Sequence, residues 1–447
     1  MEQILNLFKI PELRSRLFMT FGLLAVYRVA AAIPLPGINT EALRMLFEQH
    51  RGSFLGFLDI FSGGALSKFS ILTLGTIPYI NASIIISLLQ GAHVIPYLER
   101  LSREGETGRK RIQQLTRYLT VFLALFQSVA IAIGFSSPQD PGSPQIVMDA
   151  SVGFYLLTAL TWTAGAVFVM WLGEQITEFG IGNGISLIIF AGIIARFPAA
   201  AADVIRLIRV EEISPFGALL LVSLVVVICG LVVWVETAQR QIPVQYAKRL
   251  VGRRMMGGAS TYLPIKLDPS GVIAVIFASA VIQAPLFLSQ LAPNSAVSGF
   301  IQRILGGFNQ GLPIFSLIYA SLIIFFCYFY NSIAINPQDL AENMKKWGGF
   351  IPGIRPGRST AEHIEWIVEH LTLFGALFVA TIAVLPDYLR QHLAAPFFFG
   401  STSLLIVVGV ALDTIGQMEA HLLMRHYDGF MKQGRVKGRW FNVGQTA

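Results

Sequence analysis

Charge is what this chain has least of. Only 13% of its 447 residues are Asp, Glu, Lys or Arg, where a soluble domain carries about 25%. Hydrophobic residues make up 54%, and the mean hydropathy is +0.62. That balance excludes a soluble globular fold and describes a polytopic membrane protein. Cysteine is nearly absent too. Cys229 and Cys327 both lie inside apolar runs, which excludes a disulfide framework and a CxxC redox pair. No Walker motif is present, so energy must come from a partner or a gradient. A paired catalytic set is also missing. Asp413 is the only carboxylate well inside an apolar run and Arg28 the only cation. A lone intramembrane carboxylate is a functional candidate, but Asp413 falls late in the last run, where a structural partner or interfacial water suits it better. Arg28 lies near the outer end of the first run and can snorkel. His363 and His370 share one helical face without an HExxH motif. They read as part of an amphipathic entry helix, not a metal site. No metal, cofactor or enzymatic activity is expected.

Ten apolar runs are candidate spans: Leu17–Ile33, Ile71–Leu89, Leu119–Phe135, Gly153–Leu172, Gly184–Ala195, Phe216–Val235, Val272–Leu291, Pro313–Ile335, Leu371–Leu385 and Ser401–Gly416, the fifth being short, with its far end at Arg196-Phe197-Pro198 left open. The N-terminal MEQILNLFKIPELRSR is charged and amphipathic, and a full-length span follows it, so a cleavable signal is not expected. With the N-terminus inside, cytoplasmic segments hold about three times as many Lys and Arg as outer ones, which places both termini in the cytoplasm. Ten spans with a charged break after the fifth divide into halves at 1–200 and 201–447, hinged near Ala200–Pro215. Five spans per half force the second half to run opposite to the first, the arithmetic of an inverted repeat.

Between Phe54 and Gln90 the chain reads FLGFLDIFSGGALSKFSILTLGTIPYINASIIISLLQ. As a spanning segment it is badly made. Gly63 and Gly64 break it, and Ser67, Lys68, Thr73, Thr76, Pro78, Asn81, Ser83, Ser87 and Gln90 make it polar. Such backbone survives at membrane depth only inside protein or beside water. The segment therefore reads as the lining of a passage; the plainer alternative is an ordinary bundle helix.

Two polar loops are longer than topology alone needs. Glu236–Asp268 carries Lys248, Arg249, Arg253 and Arg254, and the alternation around Gln241–Tyr246 predicts a short strand or hairpin. Asn336–Glu362 carries IPGIRPG, a Pro/Gly frame that would hold Arg355 outward. Clustered exposed arginine suits RNA phosphates or acidic protein surfaces.

Several long motifs resemble one family. LPGINTEALRMLFEQHRGSFLGFLDIFSGGALSKFSILTLGTIPYINASIIISLL, WLGEQITEFGIGNGISLIIFAGI, YAKRLVGRR, STYLPIKLDPSGVIAVIFASA, FFCYFY, NPQDLAENMKKWGGFIPGIRPG and FFFGSTSLLIVV are similar to the SecY family, the channel subunits of the bacterial Sec translocon. The likeness runs through nearly the whole chain. It departs in a short N-terminal tail and in the modest outer loop between spans seven and eight.

The resemblance implies an all-α polytopic membrane protein with ten transmembrane helices in two inverted five-helix halves around a central pore. It implies a channel that passes unfolded secretory polypeptides and releases transmembrane segments sideways into lipid. A plug would comprise Phe54, Leu55, Gly56, Phe57, Leu58, Asp59, Ile60, Phe61, Ser62, Gly63, Gly64 and Ala65, followed by a gate helix over Thr76–Leu89. A pore ring would comprise Ile80, Ile84, Ile189, Ile276 and Ile406. A lateral gate between spans two/three and seven/eight would carry Asn81, Ser87, Gln127 and Gln283. Arg253, Arg254 and Arg355 would dock a motor ATPase, SecA, or a ribosome. A clamp subunit, SecE, and a second small subunit, SecG, are implied, as are signal peptide, translocating polypeptide and membrane lipid as contacts. The implied location is the bacterial inner (plasma) membrane, or a thylakoid membrane in a source that has one. The competing class is a secondary solute transporter with inverted repeats. It needs midplane ligands, and the chain offers little beyond Asn81, Ser83 and Asp413.

Overall fold

A computed structural model of the chain describes residues 11–49, 59, 62–91, 95–136, 146–148, 150–211, 214–246, 249–251, 254–256, 260–291, 299–300, 313–393 and 401–433. Each of the ten apolar runs falls on a helix. In the first half these are α1 (Pro11–Ala30), α3 (Ile77–Gly91), α5 (Glu106–Ser136), α6 (Val152–Phe179) and α7 (Gly184–Ile194). The short α2 (Thr40–Gln49) and α4 (Pro96–Arg103) lie between them, and α8 (Phe197–Arg209) follows α7. The second half holds α9 (Pro215–Thr237), α10 (Gly271–Leu291), α11 (Pro313–Ala334), α13 (Arg358–Leu393) and α14 (Ser401–Gln433), with α12 (Pro337–Lys346) on the way.

Among the described residues, seven helices are long and apolar enough to cross a membrane by length and composition, counting α7 with α8 and α11 with α12. An eighth is the pair α3 and α4, bent by 94°. The apolar stretch of α10 is short, Gly271–Gln283, and Pro285 lies inside the helix just after it. Large apolar side chains cover the outer faces, such as Phe122, Leu156, Leu219, Val226, Phe325 and Phe374. That pattern fits a lipid solvent, where outward apolar groups need no cover.

Helix starts follow the sequence. Asn183 and Ser214 cap α7 and α9, each accepting from a backbone N–H three residues on. Much of the stretch Ala200–Pro215, expected to join the two halves, is helical: α8 occupies Phe197–Arg209. Pro198 stands at the start of α8, where its missing N–H is harmless, so it begins a helix rather than ending one.

The loop strand predicted around Gln241–Tyr246 is β1 (Gln239–Tyr246), with Ile242 and Val244 buried and their neighbours out. Strands β2 (Arg249–Val251) and β3 (Arg254–Met256) form a separate two-stranded ribbon. Strand β4 (Ser260–Lys266) pairs antiparallel with β1, and β5 (Gly349–Phe350) pairs with its other edge, joining the two polar loops in one sheet of order β4-β1-β5. Pro243 is tolerated because β5 reaches only Gln245 and Tyr246, leaving an open edge beside it. Ile242, Val244, Ile265, Met344, Ile351, Ile364 and Val368 form a small core under this sheet, apart from the main core of the helices.

Candidate functional site

The irregular stretch before α3 is the centre of the candidate site. Of the plug expectation, Asp59 and Ser62–Ala65 are described, while residues 54–58, 60 and 61 lie outside the described residues. Gly63 and Gly64 adopt φ of +67° and +83°, which only glycine takes without strain. The chain then continues through turns to Thr76. Ser62, Ser70, Thr73 and Thr76 are all buried. The backbone groups here are satisfied partly by local turns and partly by other elements, as irregular backbone at membrane depth requires. Leu35 N–H donates to Phe69 O at 2.9 Å and Ile71 N–H to Ile33 O at 3.1 Å. The Trp162 indole N–H of α6 donates to Ser70 O at 3.1 Å. Phe69 sits between Phe135 and Trp162, at ring centroid distances of 5.1 and 4.8 Å.

This stretch is tied to α1 and to the junction of α7 and α8. Tyr27 Oη donates to Ser62 O at 3.1 Å, and Arg28 Nη1 to Gly63 O at 2.8 Å. Arg28 therefore does not snorkel; the carbonyl freed by the left-handed turn captures it. Asp59 is fully buried, and its Oδ2 accepts from Arg196 Nη2 at 2.6 Å. Its Oδ1 accepts from Ser67 N–H at 2.8 Å.

The five isoleucines expected at the ring lie on α3, α7, α10 and α14. Each is at most 6% exposed, and all belong to one core cluster. Helix α10 packs on both α3 and α14, and α14 packs on α7, so the four helices follow one another in space.

Helix α10 also packs on α5. Asn81, Gln127 and Gln283 are buried in this region and Ser87 is half-buried. Oε1 of Gln127, Oε1 of Gln283 and Oγ1 of Thr76 have no hydrogen-bond partner among the described residues. Buried orphan acceptors are rare and ask for a reason.

On the polar loops, Arg355 is exposed in the turn 351–357, where Gly353 and Gly357 take φ of +83° and +117°. Its carbonyl accepts from Thr360 Oγ1 at 2.9 Å. Arg254 is placed on β3, and Arg253 lies outside the described residues. Asp413 is exposed and faces Lys266 at 3.8 Å, a loop partner of the kind its position implied. Nearby, Asp268 is 5% exposed. Burial pushes its carboxyl above the usual carboxylate range, and hydrogen bonds from Ser270 pull it back only partly. Its Oδ2 has no partner among the described residues.

Sequence reasoning missed three connections. Asp59 and Arg196 were not paired, Tyr27 was not singled out, and Glu174 was overlooked. Oε1 of Glu174 accepts from Arg117 Nε at 2.8 Å and from Gln113 Nε2 at 3.1 Å, tying α5 to α6. Asp59 did carry a signal, as the one carboxylate in the broken segment Phe54–Gln90. Near His370, Nδ1 contacts Trp366 O at 2.8 Å, and no group of three metal-ligating side chains occurs among the described residues.

Comparison with known proteins agrees with this geometry. The family model described as SecY matches residues 70–415. The chain is 44% identical over 427 residues to the protein translocase subunit SecY of Escherichia coli (strain K12), covering 96% of each. A solved structure described as "The structure of a protein conducting channel" superimposes with a TM-score of 0.67 at 18% identity, covering 97% of this chain and 99% of that one. Sec61 in the canine ribosome-channel complex from the endoplasmic reticulum gives a TM-score of 0.63 at 17% identity, over 97% of this chain and 99% of that one.

Proposed function

The chain belongs to the SecY family of protein translocase channel subunits, and on that premise we propose how its own residues carry a polypeptide through the membrane. The channel runs between the halves 1–200 and 201–447, with both termini in the cytoplasm of a bacterium and the plasma membrane as its site. At rest, the ring of Ile80, Ile84, Ile189, Ile276 and Ile406 keeps the constriction dry. A narrow apolar tube expels water and ions, yet yields to a chain that pushes its helices apart. The plug, Phe54–Ala65, covers the ring from the outer side. The observation that carries this reading is the segment Ser62–Thr76. It is irregular, buried and stitched to α1 and α6, and it delivers the chain directly into the helix bearing Ile80 and Ile84.

The seam between α3/α5 and α10/α11 is the lateral gate. A signal peptide or transmembrane segment in the pore meets lipid there and partitions by its apolar surface. The orphan amide oxygens of Gln127 and Gln283 keep this seam from packing as a fully satisfied core. Arg253, Arg254 and Arg355 form the cytoplasmic docking surface for the motor SecA and for the ribosome, a partner also named for the canine relative. SecE clamps the two halves and SecG sits beside them.

The test is reconstitution. The chain, purified with its small subunits into vesicles and supplied with motor, ATP and a secretory precursor, should protect the precursor from external protease. Proton-coupled solute uptake without precursor protection would favour the transporter instead.

A further inference from the structure

We propose that Asp59 and Arg196 form an ionic latch, which holds the base of the closed plug to the C-terminal end of α7 and sets how readily the idle channel opens. The latch rests on the plug reading above. Asp59 has no exposed surface, whereas the Arg196 side chain is 41% exposed, and their atoms meet at 2.6 Å. A buried carboxylate in a chain so short of charge needs its partner. The two residues are 137 positions apart, so the pair ties segments that must separate if the plug moves.

The other contacts at the plug base behave differently. Ser67 N–H, the second donor to Asp59, belongs to the same segment and can travel with it. Tyr27 and Arg28 donate to the carbonyls of Ser62 and Gly63, and water can replace them. These two fix the pivot at the left-handed glycines. Asp59 lies four residues before Gly63, ahead of that pivot. Breaking the charge pair strands one charge and frees the other. Asp59 is fully buried, while Arg196 already reaches solvent. The energetics are therefore asymmetric. Loss of Arg196 leaves a buried charge unpaired and favours the displaced plug. Loss of the Asp59 charge leaves an arginine that can hydrate.

That asymmetry gives the test. Planar-bilayer conductance of the purified complex with its small subunits, without motor or precursor, would be measured for wild type, Arg196→Gln, Asp59→Asn, the double variant, Arg196→Lys and a deletion of Phe54–Ala65. Arg196→Gln should raise the idle leak at least about tenfold, a discounted value for a half-wetted pair. Asp59→Asn should raise it less. The double variant should leak less than Arg196→Gln alone, and Arg196→Lys should stay near wild type. A merely structural role for either side chain would make the two effects add. If Arg196→Gln is as tight as wild type, or the double variant leaks as the sum, while the deletion leaks, the latch is wrong and the plug stands. A tight deletion channel overturns both.

Discussion

The backbones of Gly63 and Gly192 touch. A Cβ built on Gly63 would stand 2.9 Å from Cα of Gly192, and one built on Gly192 would stand 2.7 Å from Cα of Gly63. The plug base and α7 therefore meet backbone to backbone, with no flexible side chain to give way.

Gly192→Ala should push the plug base outward. Neither neighbour can yield, and overpacking of this kind is worth about 1–3 kcal/mol. The expected outcome is a raised idle ion leak, together with a thermal midpoint lowered by a few degrees. Conductance and a detergent thermal melt check the two parts. An unchanged leak would mean that this contact does not hold the plug.

Arg253→Glu, Arg254→Glu and Arg355→Glu should each weaken binding of the motor or the ribosome about tenfold or more, with membrane insertion unchanged. Arg355 is presented by a turn anchored on the small core of Ile242, Ile351 and Ile364, so its reversal puts repulsion at a fixed place. Binding of the wild type should also fall as salt rises. Affinity measured in nanodiscs decides it, and equal affinity in all three variants would refute the docking surface.

Gln283→Leu should tighten the lateral gate. It removes an orphan acceptor, a change worth about 1–3 kcal/mol in favour of the packed seam. Precursors with weakened signal peptides should then cross less efficiently, while strong ones are spared. Quantifying both in the vesicle assay tests this. Better transport of the weak precursors would show that Gln283 stabilises the closed seam instead.

Asp268→Asn should stabilise the protein at neutral and alkaline pH. Burial holds the native carboxyl above its usual range. Its contribution is intact below the unfolded carboxylate value and is lost as pH rises through the native one. The amide keeps an acceptor for Ser270 and carries no charge. The gain should be about 1 kcal/mol near pH 8 and smaller near pH 4.5, read from thermal melts at each pH. A gain that grows on acidification would contradict the burial argument.

Much of this was legible in the sequence because it is written locally. Each apolar run became a helix over most of its length, the alternation of Ile242 and Val244 became β1, and the Gly63-Gly64 pair became the left-handed turn. Three features escaped because they depend on distant partners. The pairing of Asp59 with Arg196, the capture of Arg28 by Gly63 and the joining of both loops through β1 and β5 have no local signature. The missed helix α8 is a different failure. Ile205, Leu207 and Ile208 carry a helical pattern, but the flanking charges and Pro215 read as a linker.

The most direct test of the account is a crosslink from the ring. Single cysteines would replace Ile80, Ile84, Ile189, Ile276 and Ile406 in a chain whose Cys229 and Cys327 are changed to Ser, and a precursor with a bulky folded end would be stalled in the channel. If these residues converge on the pore, all five positions crosslink to the trapped polypeptide, and a control cysteine at the lipid-facing Val226 does not. If they crosslink only to neighbouring helices while a chain is trapped, the five are ordinary core residues and the polypeptide passes elsewhere.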